Sequence, residues 1–493
     1  MTDVSSPPLS ETVASGRPVL LRNATVLTMD PDIGMLEGAD VLVRGEHIAE
    51  VGHNLAAPED TVVIDASGGI VMPGMVDTHR HMWQTALRGF GADWTLSQYF
   101  MFYYLNWGQI FRPEDIHAGN LLAAIEALDA GVTTTLDWSH GLQTVEHGEA
   151  AVAALREVPG RFVLAYGNLL QAPWEWATSA EFRRFVERNF ASSDDMLSLQ
   201  LAFDVTGDTA FPERAAFTAA RDLGVGVTTH AGVWGATGDD SIQLMWEHGC
   251  MRPDVTYVHA ASLSRDSYQR IAASGGSVSL STESEQSAGQ GYPPSWKLRQ
   301  HDIPVSLSMD TSVWWSADLF SAMRATLSAD RSREHLEAHA ANETVVHNRL
   351  RAEHVLDWTT RAGARTLGLG QVTGTLTPGK KADVVLVKND RSPVMAPILH
   401  PYGHVVFQAG RGDVHTVLVN GRVVKYHHEL LGIDLARAHA AVARTVDHAH
   451  AHIGAQEWQQ WMRPQIPQDE VLTNPYTYSD HRGEGVAVRR AEQ

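Results

Sequence analysis

The sequence predicts an α/β protein: a distorted TIM-type (β/α)8 barrel with a small β-sandwich-like domain built from both chain ends. Three observations lead there. Short apolar runs alternate with helix-like segments through the middle of the chain. Alternating, β-branched segments appear near both ends. The length of 493 residues, with 44% hydrophobic and 19% charged side chains, suffices for a large core in ordinary globular proportions.

Residues 1–70 form the first part of the small domain. Val19–Leu27 and Ala39–Arg44 read as strands, punctuated by Gly45, Gly52, Gly68 and Gly69. Residues 71–369 carry the barrel. Its candidate strands are Gly74–His79, Val132–Trp138, Arg161–Gly167, Leu197–Asp204, Gly224–His230, Val255–His259, Ser277–Glu283 and Pro304–Asp310. Arg112–Ala130 and Ser262–Ala273 read as helices between them, the second opening on the capping sequence Ser262-Leu-Ser-Arg-Asp. Residues 370–433 return to β structure, as Ala382–Val387 and Val414–Gly421, and Asn420-Gly421 marks a tight hairpin. Residues 434–493 give an Ala/His-rich helix, Asp434–Ala455, and a polar segment, Thr473–Gln493, read as an arm.

Composition excludes several classes. There are 38 Lys+Arg against 58 Asp+Glu, a formal net charge of −20. Such a surface repels phosphates and anionic membranes, so neither nucleic acid nor membrane is expected as a partner. The single Cys250 rules out a disulfide framework and a Cys-rich zinc finger, and it fits a cytoplasmic protein. Met1–Val19 lacks a basic stretch followed by an apolar one, so no secretion signal is expected. No apolar stretch approaches the ~18 residues of a membrane span.

The chemistry begins at Val76-Asp-Thr-His79-Arg80-His81. In an extended chain, residues i and i+2 share a face, so two imidazoles can converge on one ion while Arg80 points away. Alone, this pattern is more often a pair of loop histidines. It gains weight from His230, His259 and Asp310, which end the fifth, sixth and eighth candidate strands. The C-terminal mouth of a barrel is where active sites form, and a set of strand-end His and Asp there reads as a metal site. A cation with nitrogen and carboxylate ligands and an open position lowers the pKa of bound water towards about 7.

With Val71-Met-Pro-Gly-Met-Val-Asp-Thr-His-Arg-His81 and Gly374-Thr-Leu-Thr-Pro-Gly-Lys-Lys-Ala-Asp383 added, the chain resembles the metal-dependent amidohydrolase superfamily over residues 19–430. The resemblance lies in the branch of cytosine deaminase-like, guanine deaminase-like and triazine hydrolase-like enzymes. It implies one divalent metal held by His79, His81, His230 and Asp310, with His259 binding the attacking water or polarising the substrate. Asp310 is then placed to take the water's proton and pass it to the leaving group. No Lys ends the fourth strand, Leu199-Gln-Leu-Ala-Phe-Asp204, so a one-metal type is implied. Zinc suits the ligand set, and iron, cobalt or manganese also fit it.

One position departs from the pattern. Deaminase-like members carry a Glu three residues after the strand-five His, which protonates a ring nitrogen; here it is Val233. Glu283 is the candidate catalytic replacement and Glu285 a candidate substrate contact, against the simpler reading of solvated loop carboxylates. Trp83 and Trp234 are candidate stacking residues among several Trp in the βα loops, and Gln84, with Arg88 nearby, is a candidate for orienting the substrate. Asp137 and His140 read as outer supports or caps, and His448, His450 and His452 as surface positions on a helix.

The expected function is metal-dependent hydrolysis, by a metal-bound hydroxide, of a non-peptide C–N bond in a cyclic or aromatic small molecule: an amide, urea, amidine or amino group. Hydrolytic displacement of halide from a heteroaromatic ring is the alternative enzyme reading. A non-catalytic scaffold on the same fold is the alternative outside enzymes. The resemblance also implies a homo-oligomer.

Overall fold

The computed structural model describes residues 16–191, 196–233 and 238–465. Trp234 and Thr473–Gln493 lie outside the described residues. Eight parallel strands follow one another in sequence order around a barrel: Met75–Arg80, Val132–Ser139, Arg161–Tyr166, Leu197–Ala202, Val227–Ala231, Val255–His259, Ser277–Leu280 and Val305–Leu307. Each overlaps an expected strand. The seventh stops early. Ser281 leaves the extended conformation, and Thr282–Ser287 is a helix.

The barrel closes through its chemistry-bearing residues. Asp310 forms an isolated bridge with Arg80. Its N–H donates to the carbonyl of His79 at 3.1 Å, and its own carbonyl accepts the His81 N–H at 2.8 Å. Val76, Leu136, Val163, Ala165, Ala202 and Val258 pack together in one cluster with Ala364 and Leu367. Helix Pro113–Asp129 begins with Pro at its first turn, and Asp115 accepts the Arg112 N–H at 2.9 Å. It presses on the turn Met82–Leu87. A Cβ on Gly119 would lie 2.1 Å from the Trp83 carbonyl oxygen, so only glycine permits this approach.

The chain ends build a second, nine-stranded sheet. Val19–Leu27 is its hub. It pairs antiparallel with Met35–Arg44, and parallel with Val62–Asp65 along its first half and Ile70–Pro73 along its second. Ile70–Pro73 pairs with Val384–Val387, which joins Val414–Val419 and Arg422–Tyr426 from the far end of the chain. The hairpin turn is Asn420-Gly421, with φ of 50° and 78°, as the sequence predicts. The two halves share one apolar cluster that includes Leu21, Val41, Val384 and Leu418. A buried ion pair links sheet to barrel: Arg161 Nε lies 3.1 Å from Asp383, which also accepts the Asn420 N–H at 2.7 Å.

Helix Leu435–Ile453 lies against helix Pro113–Asp129, with Thr445 Oγ1 donating to Asp115 and His448 Nε2 to the Ile110 carbonyl. A shorter helix, Ala455–Trp461, follows. No helix among the described residues is long and apolar enough to cross a membrane.

Candidate active site

The strand ends bring His79, His81, His230, His259 and Asp310 together. The His79 ring centroid lies 4.7 Å from His81, 5.0 Å from His230 and 5.6 Å from His259. Asp310 Oδ1 stands 3.5 Å from His79 Nε2 and 3.4 Å from His81 Nε2. Among the described residues, only this region offers groups of three or more side chains close enough to share an ion. His81 lies just past its strand, and the two imidazoles meet edge to face across the strand end.

Protonation suits a cation. Burial pushes the His79 imidazole well below its usual range, and its neighbouring imidazoles push the same way. Burial takes His81 down to about 4. Burial alone would raise the Asp310 carboxyl, but His79, His81 and His259 around it hold it well below the usual range. His79 and His81 therefore present neutral nitrogens and Asp310 an ionised oxygen. His79 is fully buried, and neither of its ring nitrogens has a hydrogen bond. An orphaned buried imidazole beside a carboxylate fits a first-row cation.

Outer partners aim these groups. His81 Nδ1 donates to the Trp138 carbonyl at 2.8 Å, which leaves Nε2 facing Asp310. His230 Nδ1 lies 3.0 and 3.1 Å from the two oxygens of Asp204, and the His230 N–H donates to the same carboxylate. Asp204 was not among the expected site residues. Its signal was its place just past the fourth strand, matching the other strand-end groups. Asp137 accepts the Met82 N–H and an Asn120 amide hydrogen, so it supports the turn after His81. Arg80 points away, to Glu126 at 2.5 Å. His259, Ala260 and Asp310 adopt φ of 70°, 52° and 64°. This is strained backbone for non-glycine residues, and it clusters at the barrel mouth.

The two glutamates exchange places relative to expectation. Glu283 was expected at the mouth of an extended seventh strand. On a helix instead, its Oε2 accepts the Ser316 hydroxyl at 2.8 Å, and burial raises its carboxyl to about 7. Glu285 is the one beside His259. It is fully buried, its Oε1 lies 3.4 Å from His259 Nδ1 and accepts the Ser281 N–H, and its Oε2 has no hydrogen bond. Burial raises its carboxyl, and His259 opposes that.

Gln84 is buried and doubly tied: its amide donates to Tyr99 Oη at 2.6 Å and accepts the Thr311 hydroxyl at 2.7 Å, one residue beyond Asp310. Arg88 pairs with Glu126. Trp83 is fully buried and meets Tyr103, Phe111 and His140 edge to face, so its ring packs inside the protein rather than offering an open stacking plate. The ring that does reach the cluster is Trp138, 4.4 Å from His230. Val233 is buried, so no acid follows His230 at that position.

Residues 70–424 match the model of the amidohydrolase family. The chain belongs to the amidohydrolase family. It is thus a hydrolase acting on carbon–nitrogen bonds other than peptide bonds. This amidohydrolase is 27% identical over 440 residues to a 5'-deoxyadenosine deaminase of Methanosarcina mazei, covering 84% of this chain and 94% of that one. It is 28% identical over 434 residues to a 5-methylthioadenosine/S-adenosylhomocysteine deaminase of Desulfitobacterium hafniense, covering 85% and 96%. Among solved structures, an atrazine chlorohydrolase from Arthrobacter aurescens complexed with zinc has a TM-score of 0.74 at 21% identity, covering 87% of this chain and 100% of that one. An adenosine deaminase from Xanthomonas campestris with bound zinc has a TM-score of 0.73 at 23% identity, covering 88% and 98%. These structures share the fold of this amidohydrolase.

Proposed function

We propose that this amidohydrolase releases ammonia or an amine by hydrolysis at a ring or ring-amide carbon of a small cyclic or heteroaromatic compound, with zinc as its cation. The observation that carries the reading is the mouth cluster of His79, His81, His230 and Asp310, in which His79 makes one close group with His81 and Asp310 and another with His230 and His259, and both nitrogens of His79 lack a hydrogen bond. Those four residues would hold the cation. The zinc named in both solved structures and the nucleosides in the names of the relatives support the choice of metal and of ring substrate.

When bound, a divalent cation supplies the Lewis acidity that brings a water towards ionisation near neutral pH. The chain's residues do the rest. Asp310, kept ionised by its imidazole neighbours, accepts the water's proton and passes it to the leaving nitrogen. His259 polarises the atom under attack, and Glu285 fixes its ring from the Nδ1 side. Gln84 and Tyr99 form a polar wall, and their burial keeps bulk water from that side.

Val233 favours a second reading, displacement of halide from a heteroaromatic carbon. A halide leaves without a proton, so the missing acid after His230 would be no handicap.

Metal-quantified enzyme offered 5'-deoxyadenosine, guanine, a phenylurea, an amino-s-triazine and a chloro-s-triazine should release ammonia or amine. Halide release alone would select the second reading, and zinc-free, inert protein would favour a scaffold. His79→Ala and Asp310→Asn should lose metal and at least about 10³-fold in kcat/KM. Full metal content and turnover in either variant would refute the site.

A further inference from the structure

We infer that helix Ala455–Trp461 is a strap that sets the position of the substrate wall, with Trp458 and Trp461 as positioning residues. The inference rests on reading the barrel mouth as the active site. It begins with the long segment after the first barrel strand, which carries both Gln84 and Tyr99. Within it, Phe100–Trp107 is a π-helix. Such turns are intrinsically less favourable than α-helix, so this one depends on packing from outside.

That packing comes from the far end of the chain. Gly454, with φ 88° and ψ 147°, makes a corner that only glycine adopts readily, and it turns the chain from helix Leu435–Ile453 into the strap. Trp458 then stacks on Trp107 at 5.0 Å and meets Phe90 edge-on at 4.9 Å. Trp461 meets Phe102 at 4.9 Å. Offset and edge-to-face ring pairs attract beyond the area they bury. Two hydrogen bonds pin the register: Trp94 Nε1 donates to the Trp461 carbonyl at 2.9 Å, and Gln98 Nε2 to the Pro464 carbonyl at 2.8 Å.

The inner side of the same segment reaches the mouth. Tyr103 packs on Tyr99 at 5.2 Å, and Tyr99 leans on Trp314 at 4.6 Å. Tyr99 Oη accepts from Gln84, which is locked to Thr311 beside Asp310. Contacts therefore run without a break from the strap to the wall of the site. Removing a strap ring should loosen the wall while leaving the cation ligands in place.

The test uses full-length, zinc-loaded Trp458→Ala, Trp461→Ala and Trp458→Phe. Hydrogen exchange of backbone amides in residues 96–107 should quicken by about tenfold or more in the alanine variants, with metal content unchanged. For the panel compound that is turned over, KM should rise about tenfold with kcat within about threefold, and Trp458→Phe should recover most of both changes. Wild-type exchange in 96–107 together with wild-type KM in both alanine variants would overturn the inference. So would a lower Tm accompanied by unchanged KM in the folded enzyme, which marks a purely structural role. If Trp458→Ala does not fold, Trp461→Ala and Gln98→Ala carry the same comparison. An active His79→Ala would sink the reading of the site. Inert His79→Ala beside unaffected Trp variants would sink the strap alone.

Discussion

Two adjoining layers of the barrel treat buried polar atoms in opposite ways. In the strands leading to the mouth, Thr78 Oγ1 bonds Ser279 at 2.7 Å and Ser306 at 2.9 Å, and Ser308 bonds both Ser279 and Ser281. Each of those five hydroxyls has a partner. One residue beyond Thr78, His79 has none, and Glu285 Oε2 is equally orphaned. An unmet buried polar group costs about 1–3 kcal/mol, so the second layer is destabilising as it stands. The backbone differs likewise, because positive φ occurs at His259, Ala260 and Asp310. Satisfied polarity marks residues that hold the barrel shut. At His79 and Glu285, where the orphaned atoms face one cluster of strand-end groups, unsatisfied polarity fits a partner outside the polypeptide.

This contrast can be broken by substitution. After the candidate ligands themselves, the largest effect is expected from Glu285→Gln, which keeps the shape but removes the charge facing His259. Turnover should fall by about 10²–10³-fold, read as kcat on metal-matched protein, with the Tm unchanged or raised. Wild-type kcat would show that the carboxylate with its orphaned Oε2 has no functional use. Next comes a satisfied pair far from the mouth. Asp383→Ala strands the buried Arg161 cation and should cost about 3 kcal/mol of stability in denaturant titration, with kcat of the folded enzyme unchanged. The smallest effect separates the two glutamates. Burial raises the Glu283 carboxyl to about 7 from an ordinary 4.5, so its stability contribution is complete below pH 4.5 and is lost as pH rises to about 7. Glu283→Gln, which stays neutral, should be more stable than the parent by about 1–2 kcal/mol at pH 8 and equal to it at pH 4. Its kcat should stay within about threefold of the parent's.

Much of this was legible in the amino acids. The barrel strands are buried runs rich in Val, Leu and Thr, and a change from apolar residues to His or Asp marks where the first, fifth, sixth and eighth meet the mouth. The glutamates were misplaced for one geometric reason. On an extended strand, Glu283 and Glu285 share a face, whereas at about 100° per residue on a helix they point nearly opposite ways. Ser281 begins that turn, and the Thr-x-x-Glu spacing of Thr282-Glu-Ser-Glu285, a helix-start pattern, is the signal that the expectation of a continued strand overlooks. Asp204 was visible as a strand-end carboxylate, but its pairing with His230 depends on which strands lie side by side. The strap was not legible at all. Trp458 and Trp461 find their partners near residues 90–107, and no local pattern encodes so distant a contact. Trp83 shows the converse: a loop tryptophan near the ligands that serves packing, because helix Pro113–Asp129 crosses directly over its backbone at Gly119.

The closing seam has a consequence for how the protein is made. Asp310 lies just past the last barrel strand, and its peptide unit is clasped between those of His79 and His81, at the end of the first. A growing chain on the ribosome therefore carries three of the four candidate ligands long before the fourth emerges. On the proposed reading, the ligand set is complete only once the end of the last strand has docked against the first.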